Sequence, residues 1–552
     1  MPYTRVDPYL FFSGKVGHIE DELGLADVQD SNRNARIMYS PTGGPLGEGG
    51  WTLYGGNQGG DCCVMTQEAS YPVSDADLVT TMCFRLEAVH TAVGFRNIMV
   101  GVTDGDAGNM AAEKPSILLD QDRNLYLGSS NARTWDELLR PLTLDVVYFV
   151  VLHGRGGAAG DLTHEAWLYD ENGNELAAKQ SAWAVGNTGS NDVCKWGNSG
   201  GGDTTNLILH FAHMGVYKGV STNPGPCEGY VKRPISTIAP GNSTAFGAPT
   251  QHEATDDPAA GSRLITDLAS TAADTTITSA ASANFSSPAD VGAAFRNHPG
   301  VTNTSRRIAS VTSATEAELD SATGVSTSAA AAAVLHRRSN DNDTTYAVFA
   351  SAAASTLEMG LSADDVPDGD EVHTVICEAI QRHTGSGPTV QLGVKSGATS
   401  ELLTLTPTST VSFNRRRGAT SNAATAPSHS LDPATGARWT PAAANAVTAL
   451  VRDNDALNRE FRITSLRVVV VAAKVPAAGG IDYPITGPLD LLIAGQERSV
   501  LITAEDRSMD LSGMVEREIV VVSPDRSGTL TSVDRDVTVT SVVERSLEVS
   551  GG

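Results

Sequence analysis

Polar and apolar positions alternate with a period of two along most of this chain, and the alternating pieces are short. Asp77 to Leu86, Arg96 to Thr103, Asp145 to His153, His164 to Tyr169 and Asn206 to Val216 read as strands. Ser116 to Asp120 and Asn124 to Gly128 read as a hairpin across Asp120-Gln121-Asp122-Arg123, and Asp170-Glu171-Asn172-Gly173 as a second turn. Further on, Ser305 to Val311, Glu316 to Leu319, Glu371 to Gln381, Pro388 to Lys395 and Phe461 to Val471 repeat the pattern. Helical signals are confined to His18 to Gln29 and to Ala442 to Thr448, the latter with Pro441 at its start. The fold class expected is all-β and multidomain: an N-terminal two-sheet jelly-roll sandwich, a small β module, a second β-sandwich and a C-terminal repeat of short strands.

The repeat is the most regular stretch. An acid precedes arginine at Arg498, Arg507, Arg517, Arg526, Arg535 and Arg545, at intervals of 9, 10, 9, 9 and 10 residues. Between them lie Val500-Leu501-Ile502, Ile519-Val520-Val521-Val522, Val537-Thr538-Val539-Thr540 and Leu547-Glu548-Val549. A unit this short cannot bury its own apolar face, so it must stack on its neighbours or on other chains. The arginine of one unit is expected to meet the acid of the next. These six arginines mark an assembly element.

Breaks in the pattern set the expected boundaries. Residues 1–50 are an arm or surface loops, 51–235 the jelly roll and 236–257 a linker. Residues 258–337 form a small β spacer, 338–476 the second sandwich and 477–552 the repeat. Arg415, Arg416 and Arg417 read as a basic turn. Arg462 and Arg467, five apart, face opposite ways, so at least one belongs near an exposed strand end.

The 552 residues carry a formal net charge of -25, which disfavours binding to a nucleic-acid backbone. No run approaches eighteen apolar residues, so no membrane insertion is expected. Met1 to Gly14 lacks the form of a signal peptide, yet the composition suits an extracellular protein. Export by another route or release by lysis reconciles the two. Six cysteines make no CxxC pair. Buried thiols are expected, with Cys194 and Cys227 the pair open to a disulfide.

Candidate chemistry is sparse. Asp104 with Asp106, and Asp120 with Asp122, sit in turns where acids cap backbone amides and where oxygen-rich sites also suit calcium; both readings stand. No other cofactor is expected. Glu165 is isolated on its strand, so the two facing acids of a glycosidase are missing and no catalytic residue is assigned. His210 and His213 would point to opposite faces of a regular strand and share no metal. Trp183 and Trp196, flanking the Gly186 to Gly202 loop, are candidates for a glycan platform, with Trp167 beside them; either of the first two equally suits a cap on the sandwich core.

Several segments resemble known families. Asn124-Leu125-Tyr126-Leu127-Gly128 and Tyr169-Asp170-Glu171-Asn172-Gly173, in their order along residues 51–235, resemble the concanavalin A-like, laminin-G-like jelly rolls; Tyr148-Phe149 stands where that group has Trp. Ala289-Asp290-Val291-Gly292 with Ile308 to Leu319 resembles a module of structural proteins of double-stranded DNA phages. Leu431 to Pro441, followed by Phe461 to Val471, is similar to a segment of phage tail and appendage proteins, with Asp432 in place of Asn. Glu505-Asp506-Arg507 resembles repeats near the ends of phage structural proteins, with Met509 near the place of Val. The resemblance implies a virion structural protein on the particle exterior. It would be a tail fibre, spike or other appendage with a host-surface glycan as ligand, partnered by itself as a homotrimer and by other virion proteins. The alternatives are a capsid decoration or purely architectural protein, and a glycan-degrading enzyme.

Overall fold

A computed structural model of the chain describes residues 3–15, 25–28, 35–55, 62–66, 77–91, 96–103, 115–129, 136–155, 162–183, 193–199, 206–240, 261–287, 290–296, 298, 306–323, 327–337, 347–350, 355–383, 390–405, 414–417, 429–453, 460–476, 500–503, 510–511, 519–522, 529–532 and 548–551. They are almost all strand. The chain forms two compact units, Met1–Val475 and Pro476–Gly552.

Four sheets stack in the first unit. Sheet I runs Asp136–Pro141, Asn124–Ser129, Pro115–Asp120, Arg96–Thr103, Val193–Ser199, Cys62–Thr66, Leu25–Val28. Sheet II runs Glu175–Trp183, Leu162–Asp170, Val147–Arg155, Asp77–Ala88, Ile208–Lys218, Gly50–Tyr54, Arg36–Ser40, with Leu10–Phe12 also on Ile208–Lys218. Together they make the expected jelly-roll sandwich. Sheet III runs Cys227–Lys232, Glu460–Ala473, Glu371–His383, Asn414–Arg417, with Ala347–Ala350 also on Glu460–Ala473. Sheet IV runs Pro234–Pro240, Ser355–Leu361, Thr448–Asp453, Val390–Ser396, Thr399–Leu405.

Three apolar layers hold the stack. Trp51, Phe84, Leu152, Trp196 and Phe211 belong to the layer between sheets I and II. Phe11, Phe149, Tyr217, Ile376 and Val469 fill the layer between II and III. Val375, Leu392, Val451, Val468 and Val470 fill the layer between III and IV. The central strands of sheets II and III are therefore buried on both faces, which explains their unbroken apolar runs. Along Val468 to Ala473, alternate residues enter the two layers flanking sheet III. Leu10-Phe11-Phe12 splits the same way: Leu10 and Phe12 go to one layer and Phe11 to the other.

Several expectations change here. Residues 227–232 and 234–240, placed at the end of the jelly roll and in a linker, are strands of the second sandwich. The second sandwich is thus built from both sides of an insertion. The insertion is a closed barrel of Gly261–Ser270, Thr276–Ser279, Glu316–Leu319, Arg306–Ser313, Ala294–Arg296 and Thr327–Arg337. Ile308 and Leu319 lie in its core, with Val311 against it. Residues 25–28, expected in a helix, are a strand, because sheet I offers Cys62–Thr66 as a partner. The other expected helix forms at Pro441–Asn445, capped by the Thr440 hydroxyl. Asn414–Arg417 is an edge strand on Glu371–His383, not a turn. Arg467 lies buried within its strand, paired with Glu378 on the neighbouring strand.

The second unit pairs its strands differently. Val500–Thr503 lies parallel to Ile519–Val522; Asp510–Leu511 and Glu548–Gly551 both lie parallel to Thr529–Ser532.

Candidate functional site

The face of sheet II that looks toward sheet III carries two polar constellations. The first begins at a bulge. Strand Ile208–Lys218 slips register between Ala212 and Gly215, and His213 takes a φ of 52° there. Its ring Nδ1 accepts the Gly229 N–H at 3.1 Å, so Nε2 carries the proton that faces Glu48 Oε1 at 3.1 Å. Glu48, His213 and Glu228 bring ligand atoms within 4.8 Å of one another, the donor set of a metal site. The Lys15 ammonium answers that charge instead, 2.8 Å from Glu48, 3.5 Å from Glu228 and 3.1 Å from Asp364. Lys474 meets Glu228 at 2.7 Å. Burial alone would push Glu48 up, but the His213 hydrogen bond and the Lys15 ammonium outweigh it and bring its pKa down from 4.5 to about 2. Burial likewise disfavours the charged form of Lys15, yet its three carboxylates raise its pKa. This constellation is an ion-pair joint between the jelly roll and the second sandwich.

The second constellation lies along a row of paired positions. Gln180 pairs with Glu165, and Glu165 with His153; Asp77 sits on the next strand, diagonal to His153. His153 is fully buried. Its Nδ1 lies 3.1 Å from Glu165 Oε2 and its Nε2 3.3 Å from Asp77 Oδ1. Gln180 donates to the other Glu165 oxygen at 3.0 Å. Trp167 stands two residues from Glu165, so on the same face, with Val151 and exposed Ala178 as its cross-strand partners. Half-buried Trp167, exposed Gln180, and Glu165 and Asp77 at 19% and 42% side-chain exposure form an accessible aromatic-and-polar patch. Two carboxylates do face each other here, but the imidazole fills the gap and engages both. No sugar ring fits between them in the manner of a glycosidase.

Glu165, isolated in the sequence, is thus one of four side chains brought together by cross-strand register. The alternation at Glu165 and Trp167 was the available signal; the partners Asp77 and His153 had none. His210 and His213, expected on opposite faces, both lie on the side away from Leu209, Phe211, Met214 and Val216, because the bulge resets the alternation; they meet different carboxylates, Glu87 at 2.8 Å and Glu48 at 3.1 Å.

Of the tryptophans expected to stack on glycan, Trp196 is fully buried between sheets I and II and donates to the Thr81 carbonyl at 3.1 Å. It is a core residue, because its position alternates with Lys195 on a strand whose inner face meets Phe12. Trp183 ends strand Glu175–Trp183, and its side chain lies outside the described residues. Asp104 and Asp106 also lie outside them. Asp120 caps its turn: its oxygens accept from the Asp122 and Asn124 amides, the Asn124 side chain and the Tyr126 hydroxyl, at 2.8–3.1 Å. Asp120 thus holds the hairpin turn in which Asp122 sits, both of its oxygens being engaged by these donors. Asp170 builds the same turn with Asn172 and Asn174, and the fourth residue, Arg123 or Gly173, has positive φ in both. Arg498, Arg507, Arg517, Arg526, Arg535 and Arg545 lie outside the described residues.

All six cysteines are buried and none is in a disulfide. Cys194 and Cys227 enter different layers, on opposite sides of sheet II, so they cannot pair. Burial pushes the Cys194, Cys227 and Cys377 thiols up to about 12, which leaves them without nucleophilic character.

No family model matches the chain, and no curated protein does. Solved structures resemble part of it. The marine alginate lyase from Aplysia kurodai is 10% identical with a TM-score of 0.30, over 39% of this chain and 100% of its own. The endo-β-1,4-glucuronan lyase from the fungus Trichoderma reesei is 10% identical with a TM-score of 0.27, over 40% and 99%. Domain 4 of AbnA, an extracellular arabinanase from Geobacillus stearothermophilus solved with arabinotriose, is 14% identical with a TM-score of 0.26, over 40% and 96%. At these values the likenesses carry no argument about what this chain does.

Proposed function

We propose that the chain is a non-enzymatic structural protein of a virus particle, set on its exterior, that holds a host-surface glycan on its jelly roll and assembles through its C-terminal repeat. The observation that supports glycan binding is the patch of Trp167, Gln180, Glu165 and Asp77 on one face of sheet II. An aromatic ring beside amide and carboxylate groups offers a sugar both an apolar face and hydrogen-bond acceptors. The role as a particle component rests on the resemblance of residues 289–319 and 431–471 to phage structural proteins. A body of stacked sheets whose buried Glu228, Asp290 and Glu378 are tied up in ion pairs suits bearing load better than turnover. Affinity would come from several weak sites on one assembly.

The test is binding of the labelled full-length protein to a panel of glycans and cell envelopes, with Trp167→Ala alongside. A tenfold or greater loss with the body still folded is expected; unchanged binding sinks the patch. Release of reducing ends from any bound polysaccharide would overturn the non-enzymatic reading. Antibody against the chain should decorate intact particles of the virus that carries it.

A further inference from the structure

The N-terminal segment touches both sandwiches before it joins a strand. From Tyr9 on it is fixed: the Tyr9 N–H donates to the Val216 carbonyl at 2.7 Å, and Leu10–Phe12 pairs with Ile208–Lys218 with its side chains buried. Ahead of Pro8, Tyr3 to Asp7 join no sheet among the described residues, so contacts other than a strand ladder hold them. The Tyr3 ring packs edge-on against Tyr169, and its hydroxyl donates to the Gly173 carbonyl at 2.8 Å. It also lies over Gly225, where a Cβ would come within 2.5 Å of the ring. Arg5 and Asp7 reach the second sandwich, Arg5 to Glu371 at 3.8 Å and Asp7 to Arg438 at 3.6 Å. Between them Val6 lies on His373.

His373 is fully buried, and a single ring nitrogen serves the segment. Its Nδ1 stands 2.9 Å from the Val6 carbonyl oxygen and 3.3 Å from the Val6 nitrogen, so it either donates to the first or accepts from the second. Its Nε2 is buried with no partner among the described residues. A neutral ring suits this arrangement: the Nδ1–H tautomer donates to Val6 and leaves Nε2 bare. The cation does not, because Nε2 then carries a proton that has no acceptor. Burial first, and then Arg5 and Arg438, hold the His373 pKa at about 4, below its ordinary 6.5, against the Val6 hydrogen bond that favours the cation. Burial raises Asp7 and Glu371, so protonating them relieves a cost in the closed segment. They therefore oppose His373, but only as pH nears the carboxylate range. Tyr217 and Cys227, the next ionisable groups behind Asp7, are pushed up by burial and stay neutral.

We propose that Tyr3 to Asp7 form an acid-released latch across the seam of the two sandwiches, with the His373 imidazole as its trigger. Closed, the latch lies on Tyr169 and the Gly173 carbonyl of the jelly roll and on His373 of the second sandwich. Protonation of His373 places a third cation beside Arg5 and Arg438. The segment then swings out about Pro8, and water reaches both ring nitrogens. The chain stays anchored from Leu10 on, because Phe11 and Phe12 are buried in two different layers. The hold given by the neutral ring is whole above pH 6.5 and is lost as pH falls toward 4, so opening begins at the upper end of that window.

The test is hydrogen exchange of the full-length protein at about pH 7.5 and about pH 5, read by mass spectrometry and corrected for the pH dependence of chemical exchange. The displacement of the His373 pKa sets the expected rise in opening of residues 3–7, up to about thirtyfold at the lower pH. Residues 208–218 should keep their protection at both. His373→Asn, whose amide can donate to the Val6 carbonyl and does not titrate, should open equally at the two pH values; His373→Gln takes its place if that variant does not fold. Equal protection of the wild-type segment at both pH values overturns the latch. Loss of protection in residues 208–218 together with the segment overturns it too, since that is general unfolding. A pH response that survives the His373 substitution removes the imidazole as the trigger and overturns the proposal.

Discussion

The strands of the body and those of the tail solve the same problem at opposite ranges. In the body, Cys227 pairs with Ala473 and Val372 with Ala472, so a central strand joins segments about 100 to 250 residues apart. In the tail every described pair is 19 apart. The body needs its loops closed before its pairs form, and long-range pairing is slow. The tail closes only short loops. The body has antiparallel register set by buried layers; the tail repeats one parallel register.

The sharpest way to break the comparison is to strike the layer between sheets II and III. Phe149→Ala should cost about 3–5 kcal/mol, seen as a lower melting temperature in the full chain and in a chain ending at Val475 alike. Leu530→Ala in the tail should leave that temperature where it was. Next comes the ion-pair joint. Glu228→Ala leaves Lys15 and Lys474 without their shared partner and should cost about 3 kcal/mol in urea unfolding. A loss below about 0.5 kcal/mol would mean that the joint is mere surface decoration.

Acid sharpens it further. His373, almost wholly buried, has Nδ1 against the main chain of Val6, and burial first of all lowers its pKa from 6.5 to about 4. The folded state therefore prefers the neutral ring. The stability this gives is whole above pH 6.5 and is lost as pH falls from 6.5 toward 4, by about 3 kcal/mol. The urea midpoint of the body should fall across that window, and His373→Asn should flatten the slope. Glu48 adds its own loss lower down, as pH falls from 4.5 toward 2. The smallest effect belongs to the twin turns. Asp120→Ala and Asp170→Ala should each cost about 1 kcal/mol, the Asp170 variant being the more costly. Gly173 beside Asp170 has φ +83°, and a Cβ there would come within 2.4 Å of the Lys474 carbonyl, so that turn also seats the second sandwich.

Much of this was legible in the residues. The alternation at 116–128 and 164–179 gave the jelly-roll hairpins and their Asp turns, since local backbone chemistry settles both. Pro441 marked the helix that forms at Pro441–Asn445. The unbroken runs Leu10-Phe11-Phe12 and Val468 to Ala473 carried a signal of burial on two faces that alternation alone did not bring out, and nothing in them said which sheets bury them. The patch at Trp167 was half visible: Glu165 and Trp167 share a face by alternation, while His153 and Asp77 join them only through register across three strands. Trp196 was misjudged because an aromatic beside a Gly/Ser/Asn loop reads alike whether its ring faces solvent or the core.

The sequence by itself determined what depends on period and local chemistry: strands, turns, the all-β class and the rhythm of the tail. Only the tertiary structure decided which strands meet, that the second sandwich takes residues 227–240 from before the barrel, and that Lys15 fills the site where Glu48, His213 and Glu228 converge. The reason is physical. A strand fixes which residues share a face, but its partner is fixed by burial of that face, and burial is a property of the whole stack.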